Sequence, residues 1–219
     1  MSLAELLDIR TGVTAVIGGG GKTTLLRTLG GELAASHTVL LCTTTKIFPF
    51  PDLPCAKGAA EISRLRKECR LLCAGREVSG KLTAPDVPMA ELASWFDYVL
   101  VEADGAARRP LKAHAAHEPV IPREAEQTIC VVGASGFGRP IREAAHRPEL
   151  YAELAGVSQE ALVVPKMEAA VLNQEGLHQS VFINQVETAE QLAWARELAA
   201  LLTCPVLAGS LWKGEYMLC

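Results

Sequence analysis

Several features are scarce or missing in this 219-residue sequence, and each absence excludes a class of protein. Basic residues are not in excess, because 21 Lys and Arg stand against 25 Asp and Glu and leave a net charge of -4. A broad nucleic-acid footprint needs clustered Lys and Arg, so nucleic acid is not an expected partner. No apolar run reaches the length of about 18 residues that a membrane-spanning helix needs. The N-terminus also lacks the basic and apolar regions of a secretion signal.

Paired cysteine motifs are missing as well. The seven cysteines are an odd number and include no Cys-x-x-Cys pair. Cys69 and Cys73 lie four residues apart, but no nearby histidine completes a zinc site. We therefore expect reduced thiols, with a structural metal as the less favoured alternative. Together these absences predict a cytoplasmic protein with neither a membrane nor a nucleic acid as partner.

What the sequence does contain is a regular alternation of apolar strand-like runs and helical patterns. Residues 14–17, 23–35 and 38–42 are typical of a strand, a helix and a second strand, and such crossovers make parallel strand pairs. Further strands are expected at residues 70–74, 98–101, 128–132, 181–184 and 206–208. The pattern predicts one α/β domain over residues 1–219, a P-loop NTPase-like layer sandwich with a mostly parallel central sheet flanked by helices.

A candidate phosphate-binding loop follows the first predicted strand, in the run Gly18-Gly19-Gly20-Gly21-Lys22-Thr23-Thr24. Glycines lack a Cβ, so their amides can approach a ligand closely, and the next helix adds the positive end of its dipole. Lys22 would neutralise phosphates, and the Thr23 hydroxyl would reach Mg²⁺. A glycine-rich surface turn is the alternative, disfavoured because strand, Gly-Lys-Thr and helix occur in the order that a phosphate loop requires.

The loop departs from the usual pattern of Gly, four residues, then Gly-Lys-Ser/Thr. Counting back from Gly21, the first glycine would be residue 16, which is Val16. The loop is therefore expected to be shorter or differently bent.

An acidic segment, Tyr98-Val-Leu-Val-Glu102-Ala-Asp104-Gly, resembles the strand that accompanies a phosphate loop. A carboxylate there can bind Mg²⁺ and orient an attacking water. Glu102 and Asp104 are two residues apart and so on the same side of an extended chain, and either could face the metal. A plain acidic surface turn is the alternative.

Further polar groups follow other predicted strands, at the edge where ligands of such sheets bind. Thr45 and Lys46 could contact phosphate or metal, or simply end a strand. Asn184 begins the stretch Asn-Gln-Val-Glu, which stands where many GTPases carry the Asn-Lys-x-Asp element that reads guanine. Because Gln185 and Glu187 replace its Lys and Asp, both ATP and GTP stay open as ligands.

The segment from residue 106 to residue 123 is expected to be irregular, and its positive charge includes Arg109 and Lys112. It could clamp an anionic substrate or close over phosphates as a lid, or it could be a solvated basic loop. A metal at His114 and His117 is disfavoured, because no cysteine or third histidine lies nearby.

These motifs together resemble the YqeC family. The resemblance spans residues 13 to about 210, and its most specific part is the block from Glu-Ala-Asp-Gly to His-Glu-Pro-Val-Ile-Pro. It is carried by Gly18-Gly-Gly-Gly-Lys-Thr-Thr24, Thr43-Thr-Thr-Lys-Ile47, Val101-Glu-Ala-Asp-Gly105, Pro110-Leu-Lys112, His117-Glu-Pro-Val-Ile-Pro122 and His146-Arg-Pro-Glu149.

The resemblance implies a P-loop nucleotide-binding accessory protein of a selenium-dependent molybdenum hydroxylase, with residues 109–112 as an anion loop. Its client would be a molybdenum or selenium enzyme or the cofactor of that enzyme. With the residues above, it predicts a slow Mg²⁺-dependent NTPase in which Lys22, Glu102 and Asp104 act catalytically. Two alternatives stay open: a small-molecule kinase or nucleotidyl transferase acting on a cofactor precursor, and a non-catalytic binding partner regulated by nucleotide.

Overall fold

A computed structural model describes all of residues 1–219. It contains eight α-helices, thirteen strands and a short 3-10 helix at Ala134–Gly136. The helices are α1 Leu3–Leu6, α2 Lys22–Leu33, α3 Ala59–Leu65, α4 Met89–Trp95, α5 Ile141–Ala144, α6 Pro148–Ala155, α7 Pro165–Glu175 and α8 Ala189–Ala200. The strands are β1 Gly12–Gly18, β2 Val39–Thr43, β3 Cys55–Ala56, β4 Leu71–Ala74, β5 Arg76–Val78, β6 Lys81–Thr83, β7 Tyr98–Glu102, β8 Leu111–Lys112, β9 Ala125–Gly133, β10 Ala145–His146, β11 Ser180–Asn184, β12 Val206–Ser210 and β13 Glu215–Leu218.

The chain divides into two compact units. The first unit comprises Met1–Val16, Thr23–Gly105 and Val120–Thr128, and the second comprises Ile17–Lys22, Ala106–Pro119 and Ile129–Cys219. Each unit is described by itself below. The prediction of a single domain stays a prediction.

The first unit holds five parallel strands in the order β1-β7-β2-β4-β3. Its central strands are buried along their whole length, as continuous apolar runs in a parallel sheet predict. Side chains of α3 and α4, including Ile62 and Leu92, pack on one face of this sheet. Helix α2 runs on through Gly30, where a Cβ would lie 3.0 Å from side-chain atoms of Leu41 and Leu71. Glycine therefore lets this helix pack closely on its strands.

The second unit holds the strand order β9-β11-β12-β13, in which only the last pair is antiparallel. Two helices of this unit carry clear signals at their ends. Thr188 caps α8 in a reciprocal capping box with Gln191, and α7 starts with Pro165 and ends before Gly176 in the left-handed conformation. No helix has the length and apolar character needed to cross a membrane.

Parallel strands thus predominate in both units and alternate with helices along the chain. The predicted α/β class, with a P-loop NTPase-like layered fold, is confirmed.

Candidate functional site

The glycine loop in the second unit leads from the end of β1 to the start of α2 over residues Gly18–Lys22. Gly20 has a φ of +71°, a left-handed conformation that favours glycine. A Cβ on Gly20 would lie 2.4 Å from the backbone nitrogen of Gly133. A Cβ on Gly19 would lie 2.6 Å from the carbonyl oxygen of Pro110. The loop therefore requires glycine because its backbone lies directly against other backbone.

Two amides of this loop are used within the protein. The N–H of Gly19 donates to the carbonyl of Val131 at 2.9 Å, and that of Gly20 donates to the carbonyl of Arg109 at 3.1 Å. These hydrogen bonds fix the shape of the loop. Helix α2 begins at Lys22, so the amides of its first turn have no acceptor within the helix. The groups best placed to meet an anion are therefore those at the start of α2.

The absent first glycine of the motif has a structural explanation in the first unit. Val16 is a fully buried strand residue and pairs with Glu102 of β7. Because the strand continues through this position, no turn is made there and no glycine is needed. The turn begins at Gly18, which is why the loop is short.

Lys22 is buried, with only 5% of its surface exposed. Its ammonium donates to the carbonyl of Gly18 at 2.6 Å, across the glycine loop. A buried ammonium is costly unless oxygen atoms surround it. The loop thus holds the ammonium of Lys22 against the carbonyl of Gly18, a position that a phosphate oxygen could also take.

Asn184 braces the same loop from the end of β11. Its side-chain amide donates to the carbonyl of Gly20 at 2.7 Å, and its side-chain oxygen accepts the N–H of Leu211 at 3.0 Å. Asn184 is only 5% exposed, so both hydrogen bonds are shielded from water. Its neighbour Gln185 is left-handed and accepts a hydrogen bond from Ser135 at 2.5 Å. Asn184 therefore acts as a clamp that holds the glycine loop in place. Its predicted contact with a nucleotide stays a prediction.

In the first unit, the acidic segment at the end of β7 contacts Thr23 in the first turn of α2. The Thr23 hydroxyl donates to a carboxylate oxygen of Glu102 at 2.7 Å. Glu102 is only 6% exposed, and Asp104 is fully buried. The backbone carbonyl of Glu102 accepts hydrogen bonds from Thr43 at 2.7 Å and from the amide of Thr44 at 3.2 Å. The structure therefore joins a hydroxyl and a carboxylate that lie 79 residues apart in the sequence.

The other predicted contacts of the first unit are Thr45 and Lys46, just after β2, and Thr24 on α2. The amide of Thr45 donates to the hydroxyl of Thr43 at 3.0 Å, which forms a tight turn. Lys46 is exposed, and so is Thr24 on α2. The positions of these three residues do not test a role in binding, so their contacts with a ligand stay predictions.

The predicted anion segment of the second unit is tied down by ion pairs. The ammonium of Lys112, whose side chain is fully buried, lies 2.9 Å from a carboxylate oxygen of Glu118. Glu118 also accepts a hydrogen bond from Arg147 at 2.5 Å. Burial alone would raise the pKa of Glu118, but these two cations outweigh it and hold that pKa below its usual value. Arg109 is half-buried and donates to the carbonyl of Glu143.

A buried polar network anchors the same segment to α7. The backbone N–H and the ring Nδ1 of His114 lie 2.6 and 2.7 Å from the two carboxylate oxygens of Glu175. About two helical turns earlier on α7, Glu168 accepts a hydrogen bond from the hydroxyl of Tyr151 at 2.6 Å. Burial raises the pKa of Glu168 to about 7. Sequence reasoning missed this network, because nothing in the local pattern of α7 marks its carboxylates as buried.

The layered α/β fold and the glycine loop that opens α2 define the class of protein: the chain has a P-loop NTPase-like fold. Comparison with known proteins adds the family. A model described as YqeC protein matches residues 14–149. The chain is also 30% identical over 211 residues to a protein of Escherichia coli (strain K12) named "Uncharacterized protein YqeC". The matched region covers 86% of this chain and 82% of that relative. The chain belongs to the YqeC family, as its motifs predicted.

Proposed function

We propose that this protein binds a nucleoside triphosphate with Mg²⁺ and hydrolyses it slowly, as an accessory protein in the maturation of a selenium-dependent molybdenum hydroxylase. One observation carries the nucleotide part of the proposal: the buried ammonium of Lys22 is held against a loop carbonyl at the start of a twelve-residue helix. A cation and a helix N-terminus at one place favour binding of a phosphate group.

Lys22 would act by neutralising phosphate charge. Its ammonium already sits beside the carbonyl of Gly18, so the side chain needs no large movement to meet a phosphate oxygen. The hydrogen bonds that Gly19 and Gly20 make within the protein support a preformed loop. Preorganised groups cost less on binding than groups that must first be ordered.

Thr23 and Glu102 are the residues proposed to hold Mg²⁺, with Asp104 as a second carboxylate. The Thr23 hydroxyl and the Glu102 carboxylate lie 2.7 Å apart, and both are oxygen ligands of the kind that Mg²⁺ prefers. The chain has no group of three or more His, Cys, Asp or Glu that could hold a metal. Mg²⁺ commonly binds through one or two carboxylates together with substrate phosphates, so the pair fits this ion. When bound, Mg²⁺ neutralises charge on the transferred phosphoryl group.

The assignment to hydroxylase maturation rests on the family motifs and not on the geometry of the site. We place the protein in the cytoplasm, where its seven cysteines would be kept as thiols. Its proposed client is a molybdenum or selenium enzyme, or the cofactor of such an enzyme.

Isothermal titration calorimetry with ATP and with GTP, each with and without Mg²⁺, tests nucleotide binding. We expect binding of at least one triphosphate, stronger with Mg²⁺, and its loss in Lys22→Ala. Lys166→Ala removes an exposed lysine from α7 and is the matched control. Unchanged affinity in Lys22→Ala, with the fold intact by circular dichroism, would refute the proposed role of the loop.

Phosphate release by the wild-type protein separates the proposal from the two alternatives. Transfer of labelled phosphate to an added pterin or selenium compound would indicate a kinase or transferase. That alternative is weakened because Lys112 is already paired with Glu118 and Arg109 with a backbone carbonyl. Nucleotide-dependent capture of a client without turnover would indicate a non-catalytic binding partner.

A further inference from the structure

Two cysteines of the first unit lie side by side at the edge of its sheet. Cys55 of β3 and Cys73 of β4 are directly opposite one another in a parallel pair. Neighbouring strands lie about 4.8 Å apart, and a disulfide needs Cα atoms roughly 4.4–6.8 Å apart. Cross-strand partners also project from the same face of the sheet. The backbone register therefore brings these two thiols within reach of a covalent bond.

The two thiols differ in exposure. Cys73 is fully buried, whereas Cys55 is only half-buried at the outermost strand of the sheet. A small oxidant can therefore reach Cys55 first, while Cys73 is adjacent to it but shielded from solvent. An accessible thiol next to a second, resolving thiol is the arrangement that characterises reversible redox sites.

The surroundings of Cys55 favour its thiolate. A hydrogen bond from Cys73 lowers the pKa of Cys55 to about 7, and the positive charge of Lys57 adds to the lowering. Burial and the carboxylates of Glu77 and Glu61 oppose it. The pKa of Cys73 is raised by the same hydrogen bond and by burial. The half-buried thiol is thus the nucleophile of the pair, and the buried thiol stays protonated.

Four of the other five cysteines have no second cysteine opposite them in the sheet. Cys42 is buried, and burial raises its pKa to about 12. The thiol of Cys69 donates to the carbonyl of Leu65 at 3.2 Å, within the turn that follows α3. Burial raises the pKa of Cys204 and of Cys219. Nothing in the register of the sheet pairs any of these four with a second cysteine.

We propose that Cys55 and Cys73 form a reversible dithiol–disulfide modification site that is oxidised by hydrogen peroxide. The thiolate of Cys55 attacks one peroxide oxygen, the O–O bond breaks, and the products are Cys55 sulfenic acid and hydroxide. The sulfur of Cys73 then attacks the sulfenic sulfur, and its proton leaves with the departing hydroxyl group as water. Two thiols and one peroxide give one disulfide and two waters, and a dithiol reductant restores the thiols. The proposal does not depend on nucleotide binding.

Peptide mapping of the intact protein tests this site. The protein is treated with hydrogen peroxide at neutral pH, alkylated, digested with trypsin without reduction and analysed by mass spectrometry. The sequence places Cys55 in the tryptic peptide 47–57 and Cys73 in the peptide 71–76, and cleavage after Arg70 separates Cys69 from both. We expect a linked pair of these two peptides, lighter than their sum by two hydrogen atoms, that disappears with dithiothreitol.

Two variants and a control make the result decisive. Cys55→Ser should abolish the linked pair, and Cys219→Ser should leave it unchanged. Cys73→Ser keeps a hydroxyl that can donate to the Cys55 thiolate, and it should instead leave a sulfenic acid on Cys55 that dimedone traps, because the resolving thiol is absent. The oxidised wild type should run as a monomer on a non-reducing gel. Persistence of free Cys73 while Cys55 is oxidised, or a link from Cys73 to another cysteine, would overturn the proposal.

Discussion

Replacing Glu168 by Gln should change how the stability of the protein depends on pH. Glu168 lies on α7, is 2% exposed, and accepts a hydrogen bond from the Tyr151 hydroxyl at 2.6 Å. Burial raises its pKa from 4.5 to about 7; the Tyr151 hydrogen bond opposes this, the nearby Glu175 carboxylate adds to it, and His114 opposes it. Gln keeps a carbonyl oxygen that can accept from Tyr151 but carries no charge at any pH.

The sign follows from proton binding. Between pH 4.5 and about 7 the folded protein holds a proton on Glu168 that the unfolded chain has released. The free energy of unfolding therefore decreases as the pH rises through this range. The contribution of Glu168 is complete below pH 4.5 and is lost above pH 7. At about 1.4 kcal/mol per pKa unit, the loss amounts to about 3 kcal/mol.

Urea unfolding followed by circular dichroism at pH 4.5, 6 and 8 measures this difference. The stability of Glu168→Gln should fall by about 3 kcal/mol less than that of the wild type between the two extremes. Glu197→Gln removes an exposed carboxylate from α8 and should follow the wild type. Equal pH dependence in the wild type and Glu168→Gln would refute the assignment of a raised pKa to this carboxyl.

Two further substitutions test the contacts around the glycine loop and the anion segment. Asn184→Ala leaves the Gly20 carbonyl and the Leu211 amide without their partner, so urea unfolding should show a loss of about 2 kcal/mol; a loss below the error of the measurement would contradict the proposed clamp. Glu118→Gln removes the carboxylate charge that lies 2.9 Å from the buried ammonium of Lys112 and should cost about 3 kcal/mol at pH 7. Because the pKa of Glu118 is lowered, its contribution is present above pH 4.5 and is lost as the pH falls further, so the cost should shrink in acid. An undiminished cost at low pH would show that the loss comes from packing and not from charge.

The elements that could be predicted from the sequence are those with a signal in neighbouring residues. The continuous apolar runs at β1, β2 and β7 identify buried parallel strands, because a strand covered on both faces has no polar side. The Ser79-Gly80 pair is a second local signal, because both residues have positive φ in the turn between β5 and β6 and glycine favours that conformation. Signals of this kind lie within a few neighbouring residues.

Other elements have no such local signal. The sequence reasoning did not predict β13, whose exposed Met217 and Leu218 carry no alternation that marks an edge strand. It also missed β3 and β8, which have two residues each and exist only because a partner strand supplies their hydrogen bonds. Short strands gain their stability from pairing, so periodicity cannot reveal them.

The candidate site shows the same division. Glycine, lysine and threonine at residues 18–24 follow from the motif alone, since each residue type has a defined use at a phosphate loop. Only the tertiary structure shows that Asn184 holds the carbonyl of Gly20, 164 residues away, and that the charge of Lys112 is neutralised by Glu118. Whether a polar side chain binds a ligand or braces the fold depends on which groups surround it. Those groups come from distant parts of the chain, so composition and spacing determine the chemistry available, and the tertiary contacts determine where it is used.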